Sequence, residues 1–432
     1  MMKLLFCLLA FIAVTEAKTN FQERLRDFFV QVSKNETLLQ MYREHERQYI
    51  EARERYLHHK NRTGRAVSPF NCMQSYPMTY SQPTSGKNCI FIKVYNLLPV
   101  RTVHFHQGKQ PTSVHTLRPE QVSVIAAMGD SLTAGNGILG NNILDCLTEY
   151  RGRSWSIGGD LNFEQGVETL PNILKKFNPM IHGYSLGKCT ETNYGCSQLN
   201  VAVAGETSQD MPDQARDLVS RLHNPNFGVD LINEWKVITV FIGGNDLCDV
   251  CNNQAIHSPS SYVTKIEEAL DILHQNVPKA FVNLVQIFDI TPLAKVSQGF
   301  FCNLITSSVC GCAKNTNNNA MLQANSHGYQ DELKRLVATG KYDTRDDFTV
   351  VLQPFFENTE PVKDHTGGYD LAYFAPDCFH FSDLGANAAG KSLWNNMIEP
   401  VGQKQRAWHL QEPFHCPHIQ GKADGVFRTS KN

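Results

Sequence analysis

The chain has 432 residues, 41 % apolar and 19 % charged, with a formal net charge of −2. That is the composition of a folded globular protein with enough apolar material for a sizeable core. The near-neutral balance, with no basic cluster interleaved with aromatics, leaves no footprint for nucleic acid.

The opening "MMKLLFCLLAFIAVTEA", residues 1–17, has one lysine, an apolar run from Leu4 to Val14 and a small residue at Ala17. It reads as a secretory signal peptide, too short to span a bilayer as a mature helix. Cleavage there removes Cys7 and leaves an even number of cysteines, which in a secreted chain predicts disulfides of unreadable connectivity. Two sequons, at Asn35 and Asn61, fit that compartment as glycosylation sites. Residues 18–65 form a helical N-terminal region: Phe21, Leu25, Phe28, Phe29 and Val32 recur at helical spacing, as do Leu38, Leu39 and Tyr42. The region is a packing appendage or a propeptide, and "RTGR" at 62–65 resembles a basic processing site. Residues 66–120 are a loop-rich extension of the core.

Five β-branched, apolar runs follow: 122–127, 199–204, 236–242, 280–287 and 348–353. Helix-like segments separate most of them, including one whose Val263, Ile266, Leu270 and Leu273 share a face. Near-continuous apolar strands alternating with helices predict a parallel sheet covered on both faces. Ligands in such folds sit outside the carboxyl ends of the strands. Residues 403–432 read as a tail. No later stretch is long and apolar enough to cross a membrane, and the polar C-terminus lacks a lipid-anchor signal, so a soluble, secreted protein with no transmembrane anchor is expected.

Two serines compete as nucleophile. "GYSLG", residues 183–187, fits the G-x-S-x-G elbow, but neither flank supplies the strand and helix that an elbow needs. Ser131 in "AAMGDSLTAGNG" stands at the carboxyl end of the first strand, with Gly129 permitting a tight turn and Gly135 and Gly137 leaving room for close approach. Three other strand ends supply partners. Gly205 follows 199–204 and lets a ligand approach its backbone N–H. Asn245 in "GGND" follows 236–242 with a side-chain donor. "PDCFHFSD" follows the fifth strand and places Asp377 three residues before His380. Each alone has an ordinary explanation as a turn or surface residue; their shared edge is what brings together groups that an acyl-transfer site could use.

"GDSL" at 129–132, "NVAVAGETS" at 200–208, "GGND" at 243–246 and "DCFH" at 377–380 resemble the four ordered blocks of the GDSL/SGNH hydrolase family. "MGDSLTAGNG", "YRGRSWSIGGD", "LPNILKKFNP" and "FIGGNDLCDVC" resemble its phospholipase B branch, over about residues 120–400. The resemblance implies a flavodoxin-like three-layer α/β/α sandwich around a mostly parallel five-stranded sheet, with the hydrolase domain over 121–402. It implies a serine ester hydrolase acting on phospholipid or lysophospholipid, in transient contact with a lipid surface and without cofactor or metal. Ser131 is then the nucleophile, His380 the base and Asp377 its orienting carboxylate. The backbone N–H groups of Ser131 and Gly205 and the amide of Asn245 form the oxyanion hole. Alternatives are an esterase for neutral lipids or acetylated glycans, or a non-catalytic lipid-binding protein.

Asp130 reads as a turn-supporting residue, and residues 151–159, "RGRSWSIGG", are candidates to line the acyl or head-group pocket, Trp155 among them. Cys248-x-x-Cys251 and "CGC" at 310–312 read as disulfide staples rather than zinc or redox sites. "HFH" at 104–106 lies outside the hydrolase core and carries no metal expectation.

Overall fold

A computed structural model describes residues 30, 32–62, 111–296, 302, 310–364, 367–408, 410, 412–417 and 425–432. The signal-peptide segment, the "RTGR" site beyond Arg62 and the histidines His104 and His106 lie outside these. The principal elements are α1 (Glu36–Arg62), β1 (Val122–Gly129), α2 (Ser131–Ala134), α3 (Met211–His223), β2 (Trp235–Phe241), α4 (Gly244–Asp249), α5 (Pro259–Asn276), β3 (Ala280–Val285), α6 (Asn319–Ala338), β4 (Phe348–Gln353) and α7 (Asp383–Ile398).

The sheet is four-stranded, parallel throughout, in the order β1-β2-β3-β4. Residues of β1, β2 and β3 are buried without exception, which is why their sequences carry no polar alternation. Each apolar side chain so buried contributes roughly 1.5–3 kcal/mol before chain entropy is set against it. The helices α3, α5 and α6, which join successive strands, lie side by side, with α5 packed against both α3 and α6. On the other face lies α7: Phe281 of β3 meets Phe427, which meets Trp394 of α7, and the Asn283 amide points at the Met397 sulfur. The architecture is thus α/β/α.

The segment 199–204, expected as a fifth strand, does not form one. It runs parallel beside β1, with Ala127 N–H donating to Leu199 and the N–H groups of Val201 and Val203 donating to Ala127 and Gly129. The backbone groups between these, which face away from β1, are taken by side chains. The Asn200 carboxamide oxygen accepts from Ala202 N–H, and the Arg151 guanidinium donates to the carbonyls of Asn200 (2.9 Å) and Ala202 (2.6 Å). Arg151 is wholly buried and paired with Glu149, so it seals this edge of the sheet.

Helix ends are fixed by short polar side chains. Ser258 caps α5 with Pro259 in its first turn, and Ser382 caps α7 by accepting from Gly385 N–H. Gly390 lets α7 press on the neighbouring layer, since a Cβ there would lie 2.3 Å from the Glu168 carbonyl oxygen. Part of the expected C-terminal tail is core: Phe427 is fully buried and its N–H donates to Leu117.

The two cysteine staples are one structure. Cys248 bonds Cys310 and Cys251 bonds Cys312, tying the end of α4 to the chain that leads into α6. Cys189–Cys196 and Cys302–Cys378 are also bridged, whereas Cys146 is a buried free thiol, so the even cysteine count does not translate into pairing of every one.

Candidate active site

The carboxyl end of β1 turns abruptly at Gly129. A Cβ there would lie 2.3 Å from the Phe241 carbonyl oxygen on β2 and 2.6 Å from Thr133 Oγ1, so only glycine fits. Asp130 follows as the N-cap of α2, its Oδ1 accepting from Leu132 N–H at 2.9 Å. Ser131 is the first residue of that helix, where a backbone N–H has no carbonyl one turn back. Gly135, at φ +85°, closes the turn by donating to the Ser131 carbonyl.

His380 Nε2 lies 2.8 Å from Ser131 Oγ, and His380 Nδ1 lies 2.5 Å from Asp377 Oδ2. A carboxylate accepts only, so Nδ1 carries the proton and Nε2 is left to take one from the hydroxyl. All three side chains are buried, His380 completely. Asp377 Oδ1 also accepts from the N–H groups of Phe379 and His380, both at 3.0 Å. Burial pushes the Asp377 carboxyl upward, but the charge and hydrogen bond of His380 and these two N–H groups outweigh it and hold the pKa below its ordinary value. The turn carries strain: Cys378 sits at φ +59°, a conformation costing about 1–3 kcal/mol that persists only where its surroundings enforce it. The Cys302 disulfide is one such tie.

Gly205, at φ +86°, follows the segment 199–204 beside β1, and Asn245 follows β2. One amide hydrogen of Asn245 goes to the Glu206 carbonyl at 2.8 Å, which orients the side chain and leaves its second N–H for another acceptor. Asp246, next in the chain and fully buried, accepts from Ser208 N–H (2.9 Å), Ser208 Oγ (2.6 Å) and His257 Nδ1 (3.1 Å). It therefore joins the loop carrying Gly205 to the helix carrying Asn245, and its hydrogen bond, outweighing the opposing effect of burial, raises the pKa of His257.

Ser185 of "GYSLG" is fully buried and donates to the Arg151 carbonyl at 2.7 Å in a loop. Trp155 is not a pocket wall: it has no exposed surface, its Nε1–H donates to the Leu132 carbonyl, and it packs edge-on against Phe241 and Phe355. A large aromatic under the nucleophile helix is more use as core. Asn35 is exposed at the start of α1, and Asn61 lies in its last turn.

Arg151, within the stretch 151–159 expected to line a pocket, is instead wholly buried against backbone carbonyls and Glu149. Sequence reasoning passes over Gln214 and Asp246. Asp246 has a signal, since a carboxylate in the first turn of a helix opening directly from a strand end is placed for the site. Gln214 has none.

The GDSL-like Lipase/Acylhydrolase family profile matches residues 125–393. Human "Phospholipase B1, membrane-associated" is 46 % identical over 333 residues, which is 74 % of this chain and 22 % of that protein; the rat protein of the same name is 47 % identical, over 74 % and 23 %. The chain thus spans under a quarter of the length of these relatives. Among solved structures, an alpha/beta hydrolase enzyme from the metagenome of Lake Arreo has a TM-score of 0.31 at 17 % identity, covering 63 % of this chain and 92 % of that one, too distant to carry an argument. The profile match covers more than half of the residues and includes every strand end described above, and the chain belongs to the GDSL-like lipase/acylhydrolase family.

Proposed function

We propose that this chain hydrolyses the carboxylic esters of phospholipids, releasing fatty acids through an acyl-enzyme on Ser131. The observation that carries the reading is the run of two contacts from Ser131 Oγ to His380 and on to Asp377, buried at the carboxyl edge of the sheet. Likeness to proteins named phospholipase B1 supports the substrate class.

Ser131 Oγ attacks the ester carbonyl carbon while His380 Nε2 takes its proton. The carbonyl π electrons move to oxygen, and the oxyanion is met by the N–H groups of Ser131 and Gly205 and the free amide hydrogen of Asn245. His380 returns the proton to the leaving alkoxide as the carbon–oxygen bond breaks. Water, activated by the same imidazole, then releases the fatty acid. Asp377 holds the imidazole tautomer throughout and offsets its transient charge.

The apolar leader, the sequons and the disulfides support secretion as a glycoprotein. Among the described residues no helix is long and apolar enough to cross a membrane. A phospholipid substrate brings the chain into transient contact with a lipid surface. Export of the chain into medium, with a mass shift on enzymatic deglycosylation that Asn35→Gln and Asn61→Gln abolish, checks this.

The decisive experiment is fatty-acid release from phosphatidylcholine, lysophosphatidylcholine, triacylglycerol and a short soluble ester, with Ser131→Ala in parallel. Release from both phospholipids, lost in the variant, is expected. Turnover of the short ester alone discards the phospholipid substrate and keeps the mechanism. No turnover of any of them sinks the reading.

A further inference from the structure

The helix α1 lies outside the region that the family profile matches, yet it reaches the acid–base side of the site. Tyr42, His45 and Tyr49 are buried on one of its faces. His45 Nε2 lies 2.7 Å from the carbonyl oxygen of Pro376, the residue immediately before Asp377. A carbonyl accepts only, so the ring donates from Nε2. The ring also lies against the Cys302–Cys378 disulfide, with Nδ1 4.0 Å from Cys302 Sγ and Nε2 3.9 Å from Cys378 Sγ.

Farther along the same helix, Tyr49 Oη and Arg53 Nη1 donate to the Gly140 carbonyl at 3.5 and 3.1 Å, and Arg53 also to Asn141 Oδ1 at 2.9 Å. Gly140 belongs to the loop that leaves α2, and it sits against Pro376, whose Cδ a Cβ would approach to 3.3 Å. One helix therefore touches both the loop after Ser131 and the peptide leading into Asp377. The turn it braces is the strained one, with Cys378 at φ +59°.

We propose that His45 is a positioning residue for the Asp377–His380 pair, and that residues 36–62 are a working part of the catalytic unit rather than a removable leader. Without the Nε2 donor the Pro376 peptide loses the bond that fixes its plane, and the Asp377 carboxylate drifts from the imidazole. The proposal rests on the esterase reading given above.

The test compares His45→Gln, His45→Asn and His45→Leu in the full chain. Glutamine can place its amide nitrogen where Nε2 lies, asparagine is one methylene too short, and leucine fills the space with no donor. The readouts are kcat and KM on a short soluble ester, and the low-field NMR signal of the His380 Nδ1 proton. Glutamine is expected to retain kcat within about threefold, while asparagine and leucine lose between about tenfold and 10²-fold in kcat with little change in KM. The low-field proton should weaken or move in those two alone. Should the leucine variant not fold, the glutamine–asparagine pair decides. Equal behaviour of those two, whether both active or both impaired, overturns the proposal. A wild-type protein that turns over no ester sinks the functional reading instead, and the NMR signal still reports what His45 does to the Asp377–His380 bond.

Discussion

Gln214 holds Gly129 by both ends of its backbone: its Oε1 accepts from Gly129 N–H and its Nε2 donates to the Gly129 carbonyl, each at 2.8 Å. The remaining Nε2 hydrogen goes to the Glu206 carboxylate at 2.5 Å. One buried amide on α3 thus joins the turn before Ser131 to the residue after Gly205.

Replacing Gln214 by alanine strands the buried Gly129 N–H, while the Gly129 carbonyl keeps the Val203 N–H; the stranded donor costs about 1–3 kcal/mol where no water reaches it. Denaturant titration should show the loss. Gln214→Glu sets a carboxylate against Glu206 and against a carbonyl, and protonation restores a single donor. Its stability and turnover should therefore recover, relative to wild type, as pH falls toward 5; equal deficits at pH 5 and 8 would argue against the contact.

Asn245→Ala removes one donor to the oxyanion. The expected loss is about 10² to 10³ in kcat, or roughly 2.7–4 kcal/mol. Ser131→Ala should lose nearly all turnover. A fluorophosphonate should label wild type and, more slowly, Asn245→Ala, and leave Ser131→Ala unlabelled. Full turnover by Asn245→Ala removes that residue from the oxyanion site.

Arg151→Met takes the guanidinium away from the buried Glu149 carboxylate and from the carbonyls of Asn200 and Ala202. A loss of about 3–5 kcal/mol in unfolding free energy is expected. Arg151→Lys should recover little, because one ammonium cannot reproduce the planar fork. Adding Glu149→Leu to Arg151→Met should return part of the loss, and strict additivity of the two would mean that they do not act as a pair.

Asp130 is fully buried, and burial pushes its carboxyl from 3.8 up to about 7, against the pull of the Leu132 N–H and of His380. Between those two values the folded chain holds a proton that the unfolded chain has released. Stability therefore falls as pH rises through this window and levels off above about 7, by an amount on the order of a few kcal/mol. Asn accepts at an N-cap as Asp does, so Asp130→Asn should be at least as stable as wild type at pH 8 and flatter between pH 4 and 7. Parallel slopes in urea unfolding across that range would contradict it.

The sheet could be read from the sequence because its strands are covered on both faces and so are written as unbroken apolar runs, as in "KVITVF" of β2. The run at 199–204 has the same composition but lies at an edge, where Asn200 and Arg151 compete for its backbone, and composition does not register that competition. The residues that surround Ser131 were legible because each follows a strand end, a place that the fold itself assigns to ligands. Gln214 and His45 were not. They reach partners 85 and 331 positions away, and a glutamine or histidine on an amphipathic helix looks locally like any surface residue. The cross-pairing of Cys248 and Cys251 with Cys310 and Cys312 was likewise invisible in spacing that suits several connectivities.

That cross-pairing bears on the timing of catalysis. The short helix that carries Asn245 is anchored at its far end through Cys248 and Cys251, and the anchor forms once, as the chain oxidises. On the proposed mechanism, the Asn245 amide is then already aimed when an ester arrives, and no reorientation has to accompany each bond-making step. A chain folded under reducing conditions would face that alignment anew at every turnover.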